Sequence, residues 1–357
     1  MMKFSHLLLV HIFFAGIISC TAQKNADTLD AFINCKADSL LKAQELPGIF
    51  IGISNNGQHH FYNFGYAVPD KKLPFDSTTM FEAGSITKTF TAYIVESVLR
   101  DKGISDSSLI TAYLPDSVKQ NKALGNITFL SLMNHTSGLP RLPDNIDLNS
   151  MAPYDTYNSV QLFHYLKIAV PKPGGKSNYS NLGMGLAGVL AERISGKTYA
   201  TLLDEYIFLP FKLVPADRSI SSTNNKSQGY FQNEKSEYWN MDVLAPAGGL
   251  KCTSTEMLAY LKEMGSPTTE RSKGIINKLL QPTVNINPSM NVCIAWHTLE
   301  QKDKPVIYWH NGGTYGFSTF AAFIKGGEKA IIVVVNKFNS NVVSDGLGMS
   351  IMKKMLQ

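Results

Sequence analysis

Three short patterns in the chain carry side chains able to do chemistry together. Ser85-Ile86-Thr87-Lys88 sets a hydroxyl and an amine three residues apart, on one face of a helix and within reach of each other. An amine that is desolvated or crowded by charge can be neutral at working pH and activate such a hydroxyl as a nucleophile. The spacing alone is unselective, because Ser39 with Lys42 and Ser350 with Lys353 share it. Ser85 differs in following Phe81-Glu82-Ala83-Gly84 and in standing at the predicted start of a long helix, where free amides can polarise a substrate. A plain helix cap is the other reading of that position. Tyr179-Ser180-Asn181 supplies a phenol that can shuttle a proton beside a Lys, and an amide that can orient both Lys and substrate. It lies between the loop Pro171–Gly175 and a predicted helix, as a cleft-facing residue would. The same pattern recurs at Tyr238-Trp239-Asn240, in a polar stretch read as surface structure. His310-Asn311-Gly312-Gly313 ends a predicted strand, and its glycines let backbone approach a ligand and offer an amide to an oxyanion. A Gly-rich turn with a solvated His is the local alternative.

The elements that must position these groups follow from periodicity. Helical spacing predicts helices over 28–45, 85–101, 128–134, 159–168, 182–195 and 344–356. Short β-rich runs predict strands at Ile49–Ser54 and Gln58–Phe64, around a hairpin turn at Asn55-Asn56-Gly57. Four more are predicted at Val292–Leu299, Pro305–His310, Phe317–Lys325 and Ala330–Lys337. Strands at both ends with helices between predict an α/β (α+β) fold: an antiparallel sheet flanked by helices, built from both termini, with an inserted mainly helical lobe. The domain is expected over 24–355, with the helical lobe at about 85–239 between α/β portions at about 24–84 and 240–355.

The 357 residues are 44% hydrophobic and 17% charged, with 27 Gly and 16 Pro, which excludes disordered, collagen-like and coiled-coil classes. The net charge of +5 comes from scattered basic residues, which gives a nucleic-acid partner no footing. Residues 1–19 read as an export signal: Lys3 leads an apolar stretch, Leu7–Ser19, broken only by His11 and too short to span a bilayer comfortably. Ser19-Cys20 resembles a bacterial lipoprotein processing site, with Cys20 as the lipidated N-terminus; cleavage after Ala22 is the alternative. The expectation is an exported bacterial protein, periplasmic or anchored to the outer membrane only by that lipid. The other cysteines, Cys35, Cys252 and Cys293, leave room for one pair, with buried free thiols as the expected state. There is no CxxC or HExxH, and His59 and His60 point to opposite faces of a strand, so no metal is expected.

In order and spacing the three patterns resemble the serine penicillin-recognising family, which includes class C β-lactamases, D-Ala-D-Ala carboxypeptidases, D-amino-acid peptidases and related esterases. Further stretches share the resemblance: Pro47-Gly48, His135-Thr136-Ser137-Gly138-Leu139-Pro140, Ala247-Gly248-Gly249-Leu250 and Ser254-Thr255. Together they cover roughly residues 28–355. The resemblance implies acyl transfer by Ser85 with Lys88 and Tyr179 sharing the proton work. It gives the Ser85 and Gly313 amides to an oxyanion, and Asn181 to orienting Lys88 and a substrate amide. It assigns His310, Asn311 and Gly312 to substrate binding and implies no cofactor. Competing signatures fail: G-x-S-x-G is absent, and Gly175-Lys176-Ser177 and Gly196-Lys197-Thr198 lack the first glycine of a phosphate loop.

The sequence departs from class C enzymes in carrying His310-Asn311-Gly312 where they carry Lys-Thr-Gly. That form resembles carboxypeptidase, D-peptidase and esterase branches. The expected function is therefore hydrolysis of small-molecule or peptide substrates of D-amino-acid, cell-wall type. An esterase or weak class C-like β-lactamase is the alternative within the class, and a non-catalytic penicillin-binding or sensing protein is the alternative outside it. An imidazole ordinarily titrates near about 6.5, so His310 is expected to lose its charge, and its pull on a substrate carboxylate, as pH rises through neutrality.

Overall fold

The computed structural model describes residues 28–150, 152–172, 174, 176–213 and 225–357. The predicted leader, Cys20 and parts of the loop at 171–175 lie outside them. Among the described residues, eight strands form one antiparallel sheet. They are β1 (Gly48–Asn55), β2 (Gln58–Gly65), β3 (Val284–Asn287), β4 (Met290–Val292), β5 (His297–Leu299), β6 (Ile307–Gly313), β7 (Ser318–Ile324) and β8 (Lys329–Val335). Their order is β2-β1-β8-β7-β6-β5-β4-β3. β1 pairs with β2 on one side and β8 on the other, Ile49 lying opposite both Phe64 and Val335. Strands from the two ends of the chain thus share one sheet, with the helices between, as predicted. The β1–β2 hairpin turns at Asn56 and Gly57, whose φ of 51° and 81° suit Asn and Gly.

Five helices bear on the site and its support: α1 (Leu29–Ala43), α2 (Thr87–Asp101), α3 (Asn181–Ser195), α4 (Ser254–Gly265) and α5 (Asn341–Met355). Alternation along the strands divides the core. Ile49, Ile51, Ile53, Val333 and Val335 face one way, onto Ile33 and Ala37 of α1 and Leu347 and Ile351 of α5. Phe50, Ile332 and Val334 face the other way, into an apolar core continuous with Phe90 and Ile94 of α2, Leu186 of α3 and Leu258 of α4. From Thr87 to Leu99 every residue of α2 is buried, so this helix is the axle of the molecule rather than an amphipathic surface helix. Its buried Thr hydroxyls bond back to carbonyls, Thr87 to Gly84, Thr89 to Ile86 and Thr91 to Thr87, which satisfies them without solvent.

Three expectations need correction. The helix predicted from Ser85 begins at Thr87, because Gly84–Ile86 forms a tighter 3₁₀ turn entered through Gly84 at φ 54°. The run Val292–Leu299 is not one strand. It breaks after Val292, where Ala295 takes φ 58° and its N–H bonds the Met133 carbonyl, so the apolar run dips into the helical core instead of continuing the sheet. Cys252 and Cys293 are buried and outside any disulfide, but Cys35 is disulfide-bonded and departs from the expected thiol. No described helix is long and apolar enough to cross a membrane.

Candidate active site

The nucleophile candidate sits where α2 meets the sheet. Ser85, partly exposed, lies in the Gly84–Ile86 turn, and Lys88 stands one turn on, fully buried. Lys88 Nζ donates to Ser85 Oγ at 3.0 Å and to the Ala247 carbonyl at 2.5 Å. Burial, reinforced by the charge of Arg141, holds the Lys88 amine well below its ordinary range, which favours its neutral, basic form beside the hydroxyl. Ala247 belongs to the Ala245–Gly248 turn, which a family-like stretch had marked without assigning it a role.

Tyr179 arrives from the loop before α3. Its ring centre is 4.8 Å from Lys88 Nζ. Desolvation pushes its phenol up to about 12, against the pull of a hydrogen bond with Ser85 and the charge of Arg141. At neutral pH the phenol therefore keeps its proton. The loop is held by His135, itself at φ 65°: its carbonyl accepts from Asn178 N–H (2.7 Å), its Nδ1 accepts from Ser180 N–H (3.2 Å), and its ring lies 4.5 Å from that of Tyr179. The 135–140 segment is thus a structural cradle for Tyr179.

β6 closes the third side. Its two glycines are pressed against the nucleophile turn: a Cβ on Gly312 would stand 2.1 Å from the Ala83 carbonyl, and one on Gly84 would stand 2.6 Å from Gly313 N. Side chains at Gly84 and Gly312 would therefore push β6 off the nucleophile turn. Thr319 Oγ1 on β7 bonds the Ala83 carbonyl at 2.9 Å and pins the turn to the sheet. Buried Glu82 ties two further segments, accepting from Thr314 Oγ1 (2.7 Å) and Trp239 N–H (2.6 Å). In Tyr238-Trp239-Asn240, Asn240 is exposed as expected of surface structure, whereas Tyr238 and Trp239 are half-buried, the Tyr238 hydroxyl donating to the Met80 carbonyl.

Ser85, Lys88, Tyr179, Gly312 and Gly313 are brought together as the sequence predicts. Three others are not used as expected. His310 is buried, its Nδ1 lies 2.6 Å from the Asn311 carbonyl, and burial together with His297, Lys88 and His135 holds it well below 6.5. It is a neutral imidazole throughout the neutral range, not a titrating cation. Asn311 points through the sheet to α5, donating to Asp345 at 2.6 Å, so its side chain supports the strand and leaves substrate to others. Asn181 makes no hydrogen bond with Lys88, which donates to Ser85 and Ala247; its Oδ1 is buried without a hydrogen-bond partner. His297 on β5, unmarked in the sequence, stacks its ring 5.5 Å from His310 and is itself held to about 4 by burial. No signal short of the folded sheet links residues 297 and 310 to 135. Among the described residues no group of three His, Cys, Asp or Glu could hold a metal.

A family model described as Beta-lactamase matches residues 33–353. A beta-lactamase of Providencia stuartii is 27% identical over 84% of this chain and 84% of its own length. One of Escherichia coli K12 is 25% identical over 89% and 92%. Among solved structures, a class C beta-lactamase from Rhodobacter sphaeroides superposes with a TM-score of 0.76 at 20% identity, covering 90% of this chain and 98% of that one. A beta-lactamase/D-alanine carboxypeptidase from Pseudomonas syringae does so with a TM-score of 0.77 at 23% identity, covering 91% and 98%. At those identities the two structures speak for the fold.

Proposed function

Because the chain belongs to the beta-lactamase family, we propose that it is a serine hydrolase working through an acyl-enzyme on Ser85, with D-amino-acid peptides of cell-wall type as substrates. The observation that carries the reading is the Lys88 amine, 3.0 Å from the Ser85 hydroxyl and held well below its ordinary range by burial. Ser85 Oγ attacks the substrate carbonyl and gives its proton to Lys88 Nζ. The oxyanion is received by the Ser85 and Gly313 amides. Tyr179, protonated up to about 12, gives its proton to the leaving nitrogen and regains one from Lys88. Water then attacks the ester, with the proton path reversed, and frees Ser85. The buried, unpartnered Asn181 Oδ1 is an acceptor available to a substrate amide N–H.

β-Lactam hydrolysis is the second reading, favoured by the names of the relatives and of the solved structures. The neutral His310 in place of a Lys weighs against efficient turnover of β-lactams. Export is part of the proposal on the strength of the leader. The mass of the mature N-terminal peptide tests it, reading either lipid on Cys20 or a free N-terminus at Gln23.

The deciding experiment treats purified protein with a fluorescent penicillin and a fluorophosphonate and maps the adduct by mass spectrometry. Both are expected on Ser85, and both are expected to vanish in Ser85→Ala while the melting temperature holds. Labelling elsewhere, or full activity of the alanine variant on a chromogenic ester or D-peptide, overturns the assignment.

A further inference from the structure

One charged group stands beside the reacting residues without a counter-ion among the described residues. Arg141 follows the 135–140 loop, and its carbonyl accepts from the N–H of Asn181 (2.9 Å) and of Leu182 (3.2 Å), which locks its backbone to the start of α3. Its side chain is exposed, and its guanidinium carbon lies 5.2 Å from the centre of the Tyr179 ring. The field of that cation reaches Lys88, His135, Tyr179 and Tyr154, opposing protonation at each. Yet among the described residues no carboxylate pairs with it. The other basic groups nearby are spoken for: burial opposes a charge on Lys88, His310 and His297, Lys88 donates to Ser85 and the Ala247 carbonyl, and Lys251 turns its amine to the Trp239 carbonyl.

A guanidinium held at a cleft without a counter-ion has its five donors directed at whatever enters, and its fork matches a carboxylate. We propose that Arg141 is the specificity residue that selects a carboxylate on the substrate, the task the sequence had suggested for His310. The inference deepens the reading of the site as a peptide hydrolase and rests on it for the substrate class. It predicts a recognition that pH does not switch off, since a guanidinium stays charged across the whole working range.

The test separates recognition from chemistry. Binding of a D-Ala-D-Ala-terminated peptide and of its C-terminal amide is measured by calorimetry on Ser85→Ala protein, which cannot turn over, with and without Arg141→Glu. The carboxylate form should bind about tenfold more tightly than the amide. That preference should be lost or inverted with Arg141→Glu, largely restored with Arg141→Lys, and weakened by salt. In protein with Ser85 intact, the ratio of kcat/KM for the two peptides should fall in the same order, through KM. A preference that survives Arg141→Glu, equal binding of the two peptides, or binding of neither overturns the proposal. Protein labelled at Ser85 but indifferent to Arg141 overturns this inference alone. Protein that prefers the carboxylate form but carries no adduct at Ser85 overturns the catalytic reading and leaves this one standing.

Discussion

Burial holds the Lys88 amine well below its ordinary range, and only an amine can use that route, because a guanidinium does not give up its proton in a protein. Lys88→Arg is therefore expected to cut the acylation rate by about 10³-fold or more, as loss of one member of a catalytic unit does, measured by stopped-flow labelling. Lys88→Ala should cost as much as Ser85→Ala, and the double variant no more than either. Independent, additive losses would count against a Ser–Lys unit. The held-down His310 yields the opposite of what its residue type suggests: the preference for carboxylate substrates should stay constant between about pH 5.5 and 8.5, compared as kcat/KM ratios. A buried acid does titrate nearby. Burial raises Asp345 from 3.8 to about 6, so the folded protein keeps a proton that the unfolded chain has already released. Above that window the ionised carboxylate costs the fold about 3 kcal/mol, a cost absent below about pH 4. Asp345→Asn should thus raise the melting temperature at pH 8 and leave it nearly unchanged at pH 4; equal shifts at both would refute the titration. Ser85 and Lys88 could be read from sequence because the pair is local. The protonation states could not, since the walls that bury Lys88, His310 and Asp345 come from segments more than a hundred residues away or from the far face of the sheet.

At the level of elements, the contact between the Gly84–Ile86 turn and β6 decides both fold and site. Gly312→Ala drives a methyl into the Ala83 carbonyl and to 2.4 Å from Thr319 Oγ1, so the strand must move off the turn. A stability loss of about 1–3 kcal/mol is expected, with a larger proportional loss of acylation as the two oxyanion amides part. Gly313→Ala meets only Asn341 Oδ1 at 3.2 Å and should melt close to the parent, which makes the pair a control for each other by calorimetry and labelling rate. Most elements were legible from period. The α2 start was missed by two residues because the tight turn into it is dictated by the close approach of β6. The two-residue pairing of Phe81–Glu82 with Lys251–Cys252 carries no period at all, yet it brings the Ala247 carbonyl to Lys88. The apolar run at 293–296 reads as strand and is buried, but it fills the helical core instead of pairing, and hydrophobicity alone does not distinguish those fates.

Taken whole, the molecule is fastened at its ends. Val343, Leu347, Ile351, Met352 and Met355 of α5 are all buried, the helix lying on β6, β7, β8 and α1. Their burial contributes about 7–15 kcal/mol at roughly 1.5–3 kcal/mol for each side chain, which is the size of an entire domain's net stability. A chain ending at residue 339 should consequently be insoluble or unfolded by circular dichroism, although it retains Ser85, Lys88, Tyr179 and all of β6. A cooperative melt from that truncation would refute the estimate. The β1–β8 pairing has a consequence in time as well. Ile49, Ile51 and Ile53 leave the ribosome early, but the strand that covers their open edge is among the last segments made. For nearly the whole of synthesis that edge therefore stays open and sticky. Delivery of the final strand and helix closes the sheet from the two ends of the chain at once. The order of the sequence thus serves as a clock for the closing of the sheet.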